Sequence, residues 1–472
     1  MQGPHDTFIQ GIIRSGNDYC YDTMIRDQRE REPFYQLSSL RRGVLCWYPF
    51  QRGWKCLEIG SGFGSLTGVL LQNMKTVDAV EPDELRRSAL AERYRGKRLT
   101  VYPYLPEGEK YDCIVLTEAF TKETNEKTLS AAYKLLTDGG VMLLGYENRF
   151  GMKYETGWSD ASEPRQPARE MLYSRDEVSA LMQKTGFQEQ FTYYILPDAL
   201  FPQAVFSQES LPGEETDRFF FYRGFSSTRQ CAKEAAFRSA LRAGEFEQRA
   251  DYCLVELRKK PYAGRRVVMS YLSCDRGREH SFFVRFFNNG IVEKLPVYPE
   301  GQRALTEMFR NLESLKSRGL RTVAQELDGA CIRMPFVDQP SVLWYLKEHP
   351  EEIETVLDLL YQDILASSDL LGEDKVLKCG YIDMIPFNCF YDRGKLVYYD
   401  QEFTETNCPA SYIMFRAVYY TYLHIPKLND WVLQETLKEK YGLQDKWAEY
   451  KAREERFVRE NRNQDLYYRF WE

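Results

Sequence analysis

From residue 54 to about 190 the chain alternates short apolar, β-branched runs with stretches of helical periodicity, the signature of a parallel sheet covered by helices. Predicted strands fall at 55–59, 77–80, 99–102, 113–116 and 141–144. Between them Leu66, Val69, Leu70 and Met74 share one face of a helix, and a second amphipathic helix runs over 126–136 and stops at Asp138-Gly139-Gly140. Ser174 and Gly186 bracket another: serine accepts from the free amides of a first turn, and glycine tolerates a left-handed exit. Residues 1–50 read as a helical lead-in and 51–190 as a doubly wound α/β domain.

The pattern then changes. Residues 191–262 are rich in Phe and Tyr and contain Pro197, Pro202 and Pro212, which predicts an aromatic connector. From 263 a new order begins, with strands near 266–272, 282–288 and 291–295, a long helix over 301–316, helices over 340–371 and a hairpin over 387–401. Strands first and helices later predict a two-lobed α+β domain over 263–435. The tail, 436–472, has high helix propensity and charges of both signs, and reads as a solvated terminal helix.

Composition narrows the function classes. With 472 residues, 43% apolar and 28% charged, the chain has the make-up of two or three folded domains. Its longest apolar runs are a handful of residues, far short of the roughly 20 a membrane span needs, and its start lacks a signal-peptide core. A cytoplasmic protein with no integral membrane segment is expected. The net charge of −7 disfavours a nucleic-acid partner. Eleven cysteines form no C-x-x-C pair, so they read as small buried hydrophobes. Only four histidines are present, which leaves chemistry to carboxylates, lysine, asparagine and backbone groups.

The first candidate site is Glu58-Ile59-Gly60-Ser61-Gly62-Phe63-Gly64, which follows the first strand and opens the first helix. Glycines there allow a sharp turn and close approach to a ligand. Glu81 ends the second strand 21 residues beyond Gly60, where a carboxylate can accept from ribose hydroxyls. The third glycine comes two residues after the second, and an acid precedes the first. The motif therefore resembles that of the class I S-adenosylmethionine-dependent methyltransferases. Lys110-Tyr111-Asp112-Cys113-Ile114-Val115-Leu116 and Leu135-Leu136-Thr137-Asp138-Gly139-Gly140 resemble later motifs of the same family. The resemblance implies S-adenosylmethionine as cofactor, held by Glu58, Gly60, Ser61, Gly62, Gly64, Glu81, Pro82, Thr117 and Glu118. The block from Gly145 to Tyr154 leaves the fifth strand at its carboxyl end, so Tyr146, Glu147 and Asn148 are candidates to face the acceptor, with Glu147 in the catalytic set. Arg149 and Lys153 either suit an anionic acceptor or pair with acids on a surface loop.

The second candidate site is Tyr381-Ile382-Asp383-Met384-Ile385-Pro386-Phe387-Asn388, followed by a turn at Asp392-Arg393-Gly394 and then Asp400-Gln401-Glu402. The turn brings the outer ends of an antiparallel hairpin together, so Asn388 and Asp400 become neighbouring hard-oxygen ligands suited to Mg²⁺. Asp383 precedes Asn388 by five, the spacing of a kinase catalytic loop. The passage resembles protein-kinase-like sugar and small-molecule kinases, with Tyr381 in place of a histidine and no G-x-G-x-x-G loop. That resemblance implies ATP, Asp383 as catalytic carboxylate, Lys294 on the phosphates with Glu307 or Glu300 as its partner, and Met334-Pro335-Phe336-Val337 as the adenine hinge.

Taken together, the two halves resemble bacterial methyltransferase-kinases that terminate O-antigen or other surface-polysaccharide chains. A glycan or small-molecule acceptor and a glycosyltransferase partner are implied, with methyl going to the new phosphate or to another hydroxyl. The alternative is a small-metabolite or peptide methyltransferase whose kinase-like half is an inactive nucleotide-binding or scaffolding module.

Overall fold

The computed structural model describes residues 5–16, 21–26, 31–117, 120–122, 125–156, 168–213, 216, 227–273, 276–372 and 375–461. They form two compact units. The first comprises the described residues up to 273 together with Phe283–Asn289, and the second Arg276–Phe282 together with residues 290–461.

The first unit begins with helices α1 (Asp6–Ser15), α2 (Tyr21–Arg26) and α3 (Arg31–Leu37), whose buried Ile9, Ile12, Ile13 and Phe34 pack with Phe63 and Ala89. Strands and helices then alternate: β1 (Lys55–Ile59), α4 (Thr67–Asn73), β2 (Thr76–Val80), α5 (Glu84–Arg93), β3 (Leu99–Tyr102), β4 (Tyr111–Leu116), α6 (Asn125–Leu135) and β5 (Leu136–Glu147). These five strands pair in parallel in the order β3-β2-β1-β4-β5. Cys113, Ile114, Val115, Val141, Met142, Leu143 and Leu144 are all buried, as continuous apolar strands covered on both faces require. The chain winds outward from β1 through β3 and returns at β4, which puts the topological switch between β1 and β4.

After α7 (Arg175–Thr185) come β6 (Glu189–Leu196), β7 (Ala204–Ser207), α8 (Ser227–Ala243), α9 (Phe246–Arg249), β8 (Tyr252–Arg258), β9 (Val267–Leu272) and β10 (Phe282–Phe287). The capping predicted for α7 is present: Ser174 and Glu177 form a reciprocal capping box, and Gly186 exits at φ +99°. β8 lies between β5 and β6, antiparallel to both, and the sheet continues through β7, β9 and the Phe283–Phe287 part of β10.

The stretch 191–262 is therefore not a connector. It supplies three strands and two helices, and Phe191, Tyr193, Tyr194, Phe206, Phe237 and Phe246 are buried. Its aromatic richness is core material, because large rings carry much of a core's apolar area. Pro197 and Pro202 sit in the link between β6 and β7, where no ladder amide is needed. The boundary expected at 263 is displaced as well, since β9 and the Phe283–Phe287 part of β10 extend the first unit's sheet past it. The helix expected over 126–136 ends at Leu135, and Asp138-Gly139-Gly140 lies within β5, which begins at Leu136.

In the second unit β11 (Ile291–Pro296) pairs with β13 (Cys331–Pro335), and β13 with β12 (Glu326–Asp328), all antiparallel. Helix α10 (Gln302–Ser317) buries Leu305 and Met308 against Phe282 and Ile332. The remainder is mostly helical: α11 (Val342–Glu348), α12 (Ile353–Ala366), α13 (Ala410–His424), α14 (Gln434–Lys440) and α15 (Trp447–Asn461). Among these lie the small sheet β14 (Leu370–Leu371), β15 (Val376–Tyr381) and β18 (Thr404–Pro409), and the hairpin β16 (Cys389–Asp392) and β17 (Lys395–Tyr398). One core joins α12, α13, the hairpin and α15. The last helix is thus not merely solvated, because Tyr450 and Glu454 are buried. Among the described residues, no helix is long and apolar enough to cross a membrane.

Candidate functional site

Where β1 ends, Gly60, Gly62 and Gly64 take φ values of +74°, +55° and +83°, a run of left-handed conformations that side chains resist. The amides of Gly60 and Ser61 both donate to the Val80 carbonyl, at 3.0 and 3.2 Å, tying the turn to the end of β2. Glu81 completes the tie. Its Oε2 accepts from Gly62 N and its Oε1 from Asp83 N, both at 2.9 Å. Burial pushes the Glu81 carboxyl above the usual range, against the pull of those two amides. A Cβ added at Gly62 would meet only Gln36 Oε1, at 3.5 Å, so the outer side of the turn is open for a ligand. The carboxylate, the open glycine backbone and their position at the switch point fit a nucleoside-bearing cofactor.

The other expected cofactor residues divide. Glu58 is buried and accepts from Thr67 Oγ1 at 2.5 Å. The Pro82 carbonyl accepts from Arg87 at 2.9 Å, next to the Asp83 cap of α5. Thr117 follows β4, and its carbonyl accepts from Tyr252 Oη at 3.0 Å. Glu118 lies outside the described residues.

Beside Thr117, the end of β5 is shaped by Tyr252. A Cβ at Gly145 would stand 2.1 Å from Tyr252 Oη, so only glycine lets that hydroxyl reach Thr117. Glu147, half-buried, pairs with the buried Lys153 at 2.6 Å. Asn148 is fully buried, which overturns the expectation that it faces an acceptor. Its Nδ2 donates to the carbonyls of Gln248 and Ala250, and its Oδ1 accepts from Phe150 N. With both ends of the amide used, it pins the loop instead. Tyr146 is likewise buried, and its hydroxyl lies beside the Cys253 thiol without a hydrogen bond of ordinary geometry. Arg149 pairs with Glu177 at 3.0 Å, so both cations pair with acids, Arg149 on the partly exposed loop and Lys153 in a buried position.

Sequence reasoning missed Asp251, because it lay in the supposed connector. Its Oδ1 accepts from Lys153 N at 2.7 Å, and Lys233 stands 4.0 Å from its Oδ2. Burial pushes this carboxyl up to about 6 despite Lys233 and Lys153, with Asp198 adding to the rise. The folded chain thus holds the Asp251 proton more tightly than the unfolded chain, where it titrates near 3.8. Stability from this group falls as pH rises from about 4 through about 6. Between pH 5 and pH 7 the wild type should lose ~1.3 kcal/mol relative to Asp251→Asn, which still accepts from Lys153 N. Urea unfolding of both proteins at the two pH values checks this, and parallel shifts would refute it.

In the second unit, Tyr399 N donates to the Asn388 carbonyl at 3.0 Å, so Asn388 and Asp400 end the hairpin side by side. Asn388 Nδ2 donates to the Asp383 carbonyl at 3.1 Å, which leaves its Oδ1 for a ligand. Asp400 holds φ +54° and bonds the buried Lys294. Neither glutamate proposed as the partner of Lys294 takes that part: Glu307 pairs with Arg303 and Glu300 with Arg278. Glu402, part of the second motif, had no role assigned there. It is bonded by Arg276 and by His280 Nδ1, the latter at 2.8 Å. Burial raises this carboxyl, but His280, Arg276 and Lys294 outweigh it and hold it at about 2. Asp383 is buried and raised by that burial, with Arg416 opposing. Its Oδ2 accepts from the amides of Glu402 and Phe403, at 3.1 and 2.9 Å. Asn388 Oδ1 and the Asp400 carboxylate are hard donors fit for Mg²⁺. Among the described residues, no group of three or more His, Cys, Asp or Glu side chains forms a metal site.

No protein-family model and no curated protein matches this chain. Solved structures overlap about half of it. Among them are three methyltransferases. One is an S-adenosylmethionine-dependent methyltransferase from Thermotoga maritima, 18% identical, covering 52% of this chain and 100% of its own, with a TM-score of 0.31. Another is phosphoethanolamine N-methyltransferase 2 of Haemonchus contortus, in complex with phosphomonomethylethanolamine and S-adenosylhomocysteine. It is 18% identical, covers 48% of this chain and 52% of its own, and has a TM-score of 0.30. The N-methyltransferase NodS of Bradyrhizobium japonicum is 15% identical and covers 50% and 98%, with a TM-score of 0.26.

Proposed function

We propose that the chain is an S-adenosylmethionine-dependent methyltransferase with a phosphotransfer site in its second unit, acting on a glycan or glycan-phosphate acceptor. The observation that carries the first part is Glu81, which ends β2 and accepts from Gly62 N inside an open left-handed glycine turn at the switch point. S-adenosylmethionine, when bound, supplies a methyl group already activated on sulfonium. The protein's task is then to hold the acceptor in line. Glu147, paired with Lys153, would accept from an acceptor hydroxyl and orient its lone pair, and Gly145 and Tyr252 shape the strand end beside it.

Support for the second part is the loop geometry of Asp383 and Asn388, with Lys294 bonded to Asp400. Asn388 and Asp400 would hold Mg²⁺, which neutralises charge developing on the phosphates. Asp383 would receive the acceptor's proton. The alternative, a methyltransferase with an inactive second unit, draws on the same residues: Asp383 Oδ2 is filled by two amides, and Lys294 is tied to Asp400.

Calorimetry with S-adenosylmethionine and with Mg-ATP, together with Mg-ATP turnover, separates these readings. The proposal expects heat from both and turnover of Mg-ATP. Heat from S-adenosylmethionine without Mg-ATP turnover selects the alternative, and no heat from S-adenosylmethionine ends the methyltransferase reading.

A further inference from the structure

Arg416, on α13, is 4% exposed, and Glu454, on α15, is 2% exposed. Arg416 Nε bonds Glu454 Oε2 at 2.9 Å. Its Nη1 donates to the Ile382 carbonyl and lies 3.3 Å from Asp383 Oδ1. One guanidinium therefore spans the last helix and the loop that carries Asp383. The Glu454 carboxylate is itself fixed, because Tyr412 Oη donates to Oε2 at 2.8 Å and Tyr420 Oη to Oε1 at 2.6 Å. Residues 412, 416 and 420 recur every four positions and line one face of α13, into which Glu454 is inserted. Next to it, Arg453 bonds Glu405 and lies over the Tyr412 ring at 3.8 Å, so α15 is held at two consecutive residues.

A buried charge triad is a poor device for merely joining two helices, because apolar side chains of similar volume do that as well or better. What this triad provides is a donor aimed at Asp383 Oδ1, while the amides after Asp400 grip Oδ2. We infer that Glu454, acting through Arg416, is a positioning residue for the Asp383 carboxylate, which makes the C-terminal helix part of the phosphotransfer site. The inference rests on the phosphotransfer reading and assigns that site a support the motif does not contain.

The test uses the full chain and Mg-ATP hydrolysis without added acceptor, with amide hydrogen exchange over residues 401–404. Glu454→Gln keeps the shape but removes the charge that orients Arg416. Arg416→Lys keeps the charge but cannot reach Glu454 and the Asp383 loop together. Each should lower kcat about 10- to 100-fold, the scale of a misplaced catalytic group, with the KM for Mg-ATP within about twofold. Each should also speed exchange at the Glu402 and Phe403 amides. Unchanged kcat overturns the inference, and so does a joint loss of kcat, KM and thermal midpoint, which marks a plain stabilising role. If the wild type does not turn over Mg-ATP, the phosphotransfer reading falls by itself. Exchange then decides the relay: faster exchange at 402 and 403 in the variants upholds it, and unchanged exchange overturns it.

Discussion

Replacing Glu81 by alanine should weaken S-adenosylmethionine binding about 100-fold. In the free protein this carboxylate accepts from Gly62 N and Asp83 N, and it stands at the end of β2 where ribose hydroxyls would reach it. Hydrogen bonds to a charged group each contribute about 1.5–3 kcal/mol. Loss of roughly 3 kcal/mol corresponds to a little over 100-fold in Kd. Glu81→Gln, which keeps an acceptor oxygen but not the charge, should fall between wild type and alanine. Titration calorimetry reads all three, and an alanine variant that binds as tightly as wild type would sink the assignment of the glycine turn.

Asp400→Asn should reduce Mg-ATP turnover by at least about 10³-fold while leaving S-adenosylmethionine binding intact. Asparagine is the apt replacement because Asp400 sits at φ +54°, a region asparagine tolerates better than most residues. Fold and backbone should persist. The charge opposite Lys294 disappears, however, and with it the carboxylate proposed to hold Mg²⁺ beside Asn388. Groups that stabilise charge developing on a phosphoryl group are worth several kcal/mol, and about 4 kcal/mol is 10³-fold in rate. Turnover within tenfold of wild type would refute Asp400 as a ligand of Mg²⁺.

Much of the local structure could be read directly from the residues. Periodicity placed β1 and β3 to the residue: β1 is buried along most of its length, as a central parallel strand requires, while β3, at the edge of the sheet, keeps Thr100 exposed. The ends of α7 followed from Ser174 and Gly186, since capping depends on atoms within one helical turn. The glycine turn and the hairpin at Asp392-Arg393-Gly394 were equally local, as was the adjacency of Asn388 and Asp400 that a hairpin forces.

Other features depended on partners far along the chain. Whether 191–262 is linker or sheet turns on β8 pairing with Glu147 and its neighbours about a hundred residues earlier, and no periodicity within the segment encodes that. The same holds for side chains. Tyr146, Glu147 and Asn148 are consecutive, yet tertiary packing buried the first, paired the second with Lys153 and saturated the third with carbonyls near Ala250. Glu307 and Glu300 both had plausible spacing to meet Lys294, and each found an arginine instead.

The sequence by itself therefore determined the elements whose signals are carried by neighbours within a turn or a strand: the parallel α/β series, the caps, the glycine turn after β1 and the Asp383–Asn388 loop. Tertiary structure alone decided where the first unit ends, and it brought Asp251 beneath the Lys153 loop and Arg416 and Glu454 behind Asp383. The reason is physical. A buried charge is tolerated only where the fold assembles counter-charges and donors around it, and those come from segments that have no local relation to one another.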